Sequence, residues 1–159
     1  VRRYVAVVGP AEANDEELAL AREVGGLLAA AGCIVLTGGL GGVMAAAAQG
    51  ADAAGGTAVG LLPGPDRREA AEHLAVAIPT GLGQARNALV VGSADGVIAI
   101  GGSWGTLSEV ALAARTGRPV VSIGGWWVQD TRGVRLDMLA ADGAAEAVRL
   151  LLARLESVP

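Results

Sequence analysis

"CIVLTGGLGGVMAAAAQGADAAGGTAVGLLPG", from Cys33 to Gly64, holds an apolar run, a glycine-rich turn, a stretch of small residues and a second apolar run. The first run shows no polar alternation, which marks a strand buried on both faces. "GVMAAAAQGADAAG" is a helix without bulk, able to lie close against a sheet. "TAVGLLPG" is the next strand. Strand, crossover helix and strand make one parallel unit, and the same pattern extends in both directions.

Upstream, "RYVAVVG" (Arg3–Gly9) is another buried-strand run. A helix begins at Asn14, with Asp15, Glu16 and Glu17 in its dipole-favoured first turn. Leu18, Ala21, Leu27 and Leu28 form its inward stripe, and Gly32 closes it. Downstream, "PDRREAAEHL" is a polar excursion and "AVAIPTG" a fourth strand. Gly83–Ser93 reads as a helix, Gly96–Ile100 as strand five and Gly105–Thr116 as a helix. "RPVVSIGG" is strand six, and Asp142–Glu156 a final amphipathic helix. The expected fold is a Rossmann-like, doubly wound, mostly parallel α/β sheet flanked by helices, one domain over residues 1–159.

Composition narrows the chemistry. At 52% hydrophobic and 18% charged residues, the chain has the means to build a core, and disorder is excluded. A net charge of −4 and scattered arginines argue against a nucleic-acid surface. Lysine is absent, which removes Schiff-base chemistry and any Walker-type loop. One Cys and one His do not make a zinc set, so neither a metal nor a resident cofactor is expected. The uncharged stretch from Val24 to Ala51 is broken at "TGGLGG", leaving too few apolar residues on either side to span a bilayer. No membrane association is expected, and the lone Cys33, with no leader-like segment, fits a cytoplasmic protein.

Ligands of such sheets sit beyond the carboxyl ends of the strands, and the glycine-bearing loops fall there. Gly9 ends strand one. Gly38, Gly39, Gly41 and Gly42 follow strand two, and Gly101, Gly102, Ser103, Gly105 and Thr106 follow strand five. Backbone N–H groups in glycine turns, joined to a helix N-terminus, favour a phosphate. Neither loop carries the dinucleotide fingerprint, since Met44 stands where its third glycine belongs. A mononucleotide or another phosphorylated small molecule fits better.

Glu109 lies one turn into the helix after "GGSWGT", in reach of the strand end. Arg86 lies in the first turn of the preceding helix, where a cation opposes the dipole unless an anion offsets it. Together they form a candidate catalytic pair; a structural salt bridge is the plainer alternative. Trp126 and Trp127 stand at the same edge, able to stack on a base or pterin, although subunit packing or a lid over the core is the favoured reading. Gln84 and Asn87 are further polar candidates without a fixed direction. His73 reads as a surface helix residue and Asp95 as structural. The apolar surfaces of Gly83–Val91 and of the Met44 helix suggest a homodimer or higher oligomer.

"ARNALVVGSADGVIAIGGSWGTLSE" (Ala85–Glu109) resembles the Lonely Guy (LOG), or lysine-decarboxylase-like, family, whose motif is Pro-Gly-Gly-x-Gly-Thr-x-x-Glu after an Arg-Lys pair. Arg86, Ser93, Asp95, Gly105, Thr106 and Glu109 match, and the likeness covers most of residues 4–125. Gly101 replaces the motif's Pro, Ser103 its second Gly, and Asn87 the Lys. These departures resemble the branch of molybdenum-cofactor carrier proteins. Decarboxylation is not implied, because there is no cofactor lysine. The resemblance implies two functions. One is hydrolysis of the N-glycosidic bond of a nucleoside 5′-monophosphate, with Glu109 stabilising the ribosyl cation and Arg86 holding the phosphate or Glu109. The other is non-catalytic carriage of a phosphorylated cofactor, or nucleotide sensing. Gly101, Ser103 and Asn87 favour the second, but the retained Arg86 and Glu109 tip the expectation narrowly to the first.

Overall fold

In a computed structural model, which describes residues 1–157, the chain forms one seven-stranded sheet. Its elements are β1 (Tyr4–Val8), α1 (Asp15–Ala30), β2 (Ile34–Thr37), α2 (Val43–Ala53), β3 (Thr57–Leu62), β4 (Val76–Pro79), α3 (Arg86–Gly92), β5 (Gly96–Ile100), α4 (Trp104–Arg115), β6 (Val120–Ile123), β7 (Leu139–Ala140) and α5 (Ala144–Glu156). The strand order is β4-β3-β2-β1-β5-β6-β7, and each neighbouring pair is parallel. Chain progression reverses between β1 and β5, which puts the topological switch there.

Strand β1 shows how the apolar runs are used. Val5 and Val7 enter the core shared with α1, α2 and α5, while Ala6 and Val8 enter the core under α3 and α4. Asp95, just before β5, accepts the Tyr4 backbone N–H at 2.7 Å, which gives it the expected structural role. Cys33 is buried immediately ahead of β2.

Helix α1 starts with a reciprocal capping box. Asn14 Oδ1 accepts the Glu17 N–H at 2.9 Å, and Glu17 Oε2 accepts the Asn14 N–H at 3.0 Å. Helices α1 and α2 then press together through two glycines. A Cβ on Gly25 would stand 2.0 Å from the Ala47 carbonyl oxygen, and one on Gly50 would stand 1.8 Å from that of Arg22. Only glycine permits this separation. Met44, Ala46, Ala47, Ala48 and Ala51 are accordingly buried within the chain. The Met44 helix therefore offers no free apolar surface, contrary to expectation, because α1 covers it. Apolar side chains are instead exposed on the sheet's other face. Val76 and Ile78 of β4, in register with Val59 and Leu61, share it with Leu89 of α3.

Four further features depart from the sequence reading. The Gly83–Ser93 helix opens as a 3₁₀ turn over Gly83–Ala85 with no side-chain cap, so regular α structure begins at Arg86. The last helix begins two residues late, at Ala144, with Glu146 reaching back to the Asp142 N–H at 2.9 Å. His73 is not helical. It sits at φ 67° in the turn before β4, where its ring nitrogen pairs with Asp52 at 2.8 Å. That pair, with the Ala71 N–H donated to the Gly39 carbonyl at 2.9 Å, reverses the chain into β4. Strand β7 is two exposed residues inside "LDMLAADG", too short to leave a pattern.

Among the described residues, no helix is long and apolar enough to cross a membrane. No group of three or more His, Cys, Asp or Glu among them is placed to hold a metal ion.

Candidate functional site

Arg86 and Glu109 meet at the carboxyl edge of the sheet. They approach from α3 and α4, on the same face, because α4 turns Thr106, Glu109, Val110 and Ala113 inward. Arg86 Nη1 lies 3.7 Å from Glu109 Oε1, and each side chain is only 9% exposed. The guanidinium spreads over Gly38 in the loop after β2, where a Cβ would stand 2.6 Å from Nη2. Gly38 is thus the floor beneath the arginine. Arg86 also donates to Asn87 Oδ1, and Asn87 Nδ2 donates to Ser108 Oγ at 3.0 Å. Asn87 is buried and faces its neighbours, so it braces Arg86 and not a ligand.

The electrostatics are unbalanced. Burial pushes the Glu109 carboxyl up to about 7, and the nearby Arg86 charge only partly opposes this. Burial likewise lowers the Arg86 guanidinium, with Glu109 pulling it back up. Arg86 Nε is buried and has no hydrogen-bond partner. A buried cation facing a half-neutral carboxyl, with an unsatisfied N–H, is poised for an anion.

The loop after β5 delivers the N-terminus of α4 to this edge. Ser103 caps the helix, its Oγ accepting the Thr106 N–H at 3.2 Å, and the two hydroxyls lie 2.9 Å apart. Thr106 is buried beneath that cap. Gly105 is open, with nothing nearer to a Cβ than Ser103 Oγ at 3.7 Å, and Gly41 is similarly open. Gly9, by contrast, is packed against the Ile100 carbonyl and Val43, which requires a glycine whatever binds nearby. Gly39 and Gly42 shape the second loop, and Thr37 Oγ1 braces it by accepting the Gly39 N–H at 3.1 Å.

Glu17 occupies the switch point itself. A Cβ on Gly101 would stand 2.0 Å from Glu17 Oε1. The carboxylate that caps α1 therefore lies against Gly101, where a phosphate would be repelled. The spacing Asn14-x-x-Glu17 announces the cap; nothing local in it announces the contact with a loop more than eighty residues away.

On the far side of that loop, Gly125 and Trp126 pack on Gly101 and Gly102. Trp126 Nε1 donates to the Ser103 carbonyl at 2.9 Å, and the Trp104 ring lies 5.0 Å from that of Trp126. Beside them opens a cleft of about 420 Å³, lined by Trp126, Trp127, Arg135, Met138 and Asp142 among others. Gln84 is exposed and outside this arrangement.

Known proteins share this architecture. Over 120 residues the chain is 40% identical to an uncharacterized protein of Archaeoglobus fulgidus, covering 75% of this chain and 78% of the other. Among solved structures it is similar to a molybdenum cofactor binding protein from Rippkaea orientalis, at 34% identity and a TM-score of 0.88 over 98% of both chains. It is also similar to the molybdenum cofactor carrier protein of Chlamydomonas reinhardtii, at 34% identity and a TM-score of 0.83, covering 98% of this chain and 99% of that one. The likeness to molybdenum-cofactor carriers read from Gly101, Ser103 and Asn87 thus extends over the whole sheet. A model of the SLOG cluster4 family matches residues 2–148, and the chain belongs to that family.

Proposed function

We propose that the protein binds a phosphorylated small molecule at the carboxyl edge of its sheet and carries a molybdopterin-type cofactor rather than transforming it. The observation that carries this reading is the near full-length likeness to two molybdenum-cofactor-binding structures. The unsatisfied Arg86 Nε beside the N-terminus of α4 supports an anion there. The phosphate lies on the α3 side of the loop, between Arg86 and the Ser103–Thr106 turn, away from Glu17. The exposed Val76, Ile78 and Leu89 support a homo-oligomer.

Hydrolysis of nucleoside 5′-monophosphates, as in the Lonely Guy family, is the second reading. The Arg86–Glu109 approach favours it, since a carboxyl near 7 suits proton transfer. Stabilising a ribosyl cation, however, needs Glu109 ionised, and its burial opposes this.

One preparation tests both. Protein from a molybdopterin-producing host is oxidised with acid and iodine, and the released pterin is quantified by fluorescence. Near-stoichiometric pterin is expected, falling at least tenfold in Arg86→Ala. In parallel, AMP and N6-isopentenyl-AMP are incubated with the protein. Free base released by the wild type and not by Glu109→Gln would replace the carrier with the hydrolase.

A further inference from the structure

We propose that the Trp126–Asp142 cleft is a ring-binding subsite, selective for a fused nitrogen heterobicycle with a 2-amino-4-oxo-pyrimidine edge. Pterin and guanine share that edge. The inference rests on the phosphate placement proposed above, and extends it by naming the part of the ligand that faces the other side of the loop.

Three observations converge on the cleft. The first is its position. Glu17 fills the space at Gly101, and Gly125 packs on the Gly101 carbonyl, which narrows the crevice at the switch point. An open volume lies one strand further along, beyond β6, and its wall residue Trp126 is bonded directly to Ser103. A ligand with its phosphate at the start of α4 meets this cleft next.

The second is its aromatic character. Trp126 and Trp127 line the cleft, and the Trp104 ring lies 5.0 Å from that of Trp126, in a protein without phenylalanine. Trp127 is 67% exposed and Trp104 is 78% exposed. Leaving two large rings in water is unfavourable unless something flat covers them. A volume of about 420 Å³ is within the range of small-molecule sites and ample for a two-ring system.

The third is the pair of charges. The Arg135 guanidinium lies over the Trp127 ring, 4.5 Å from its centroid, a cation–π contact at the cleft wall. Among the described residues it has no carboxylate within salt-bridge distance. Asp142 lines the same cleft. A carboxylate accepts the adjacent N–H and NH₂ donors of a 2-amino-pyrimidinone edge, and a guanidinium donates to its ring carbonyl. Adenine presents no such edge, so the cleft discriminates against it.

The test uses intrinsic tryptophan fluorescence, to which Trp126 and Trp127 of the cleft and the neighbouring Trp104 contribute, with 6-carboxypterin, GMP and AMP as probes. Inorganic phosphate, followed by calorimetry, reads the phosphate subsite separately. Saturable quenching by 6-carboxypterin is expected, weakened about tenfold or more by Trp127→Ala, Arg135→Gln and Asp142→Ala. All three positions are exposed, and these variants should bind inorganic phosphate within twofold of the wild type. Arg86→Ala should show the reverse. GMP is expected to bind at least tenfold more tightly than AMP, and 6-carboxypterin against GMP shows which heterobicycle is preferred. Equal GMP and AMP affinity, or pterin affinity indifferent to the three variants, overturns the subsite while leaving the phosphate reading intact. Loss of phosphate binding in the wild type overturns both.

Discussion

Gly50→Ala is expected to destabilise the fold by about 2 kcal/mol, although alanine is the better helix former. In an exposed helix the exchange would gain about 1 kcal/mol. Here the added Cβ would stand 1.8 Å from the Arg22 carbonyl, a backbone atom of α1 that is not free to rotate away. Helices α1 and α2 would have to separate, loosening Ala21, Val24, Ala47 and Ala51, which are fully buried. Overpacking of this kind costs about 1–3 kcal/mol, and the rigid partner puts it at the upper end, so the penalty wins. Gly25→Ala should behave alike, and the double variant should lose less than the sum because both relieve the same separation. Gly26→Ala is the internal control. Its Cβ would have no neighbour nearer than 3.5 Å, so it should stabilise by up to about 1 kcal/mol. Urea unfolding midpoints at constant slope read all four. Equal stability of Gly50→Ala and Gly26→Ala would refute the close helix contact.

Stability should also fall as pH rises from about 4.5 to 7, and Glu109 is the cause. Burial raises its carboxyl from an ordinary 4.5 to about 7 in the folded chain. The folded state therefore holds this proton more tightly than the unfolded state. The stabilisation is fully present below 4.5, erodes through the interval and is lost above 7. A tenfold difference in proton affinity corresponds to about 1.4 kcal/mol, so the whole change is on the order of 3 kcal/mol. Glu109→Gln keeps the shape and removes the titration. The stability difference between wild type and variant should swing toward the variant by that amount between pH 4.5 and pH 8. Denaturant unfolding across the range reads it, and parallel profiles would mean that Glu109 titrates alike in the folded and unfolded chain. Anion binding should follow the same proton, because Arg86 is less neutralised by its neighbour while Glu109 is protonated.

Much of this was legible in the chain because parallel strands leave a coarse signal. Runs such as "RYVAVVG" and "GVIAI" are apolar at consecutive positions, and each leads into a glycine turn. The meeting of Arg86 with Glu109 follows from the sheet, which brings the starts of successive helices to one edge. Features set by tertiary contact were not legible. Nothing near His73 announces a left-handed turn, since its partner Asp52 lies in α2, distant in the sequence. The apolar surface of α2 reads as available for a partner because the role of Gly25 and Gly50 depends on which helices are neighbours. Asn87 reads as open to a ligand, yet Arg86 and Ser108 hold it.

The contact between Glu17 and Gly101 carries a consequence for how such sequences diverge. Gly101 sits at φ +64°, donates its N–H to the Ile123 carbonyl at 3.0 Å and has Glu17 where a side chain would be. Proline fails on all three counts, having the wrong φ, no N–H and a ring that needs that space. Gly101→Pro alone should therefore unfold or displace the loop, read as lost binding of inorganic phosphate. Relatives that carry proline here need a different path for the loop and a shorter residue at position 17. The two positions, far apart in the chain, should covary across the family and evolve as one character.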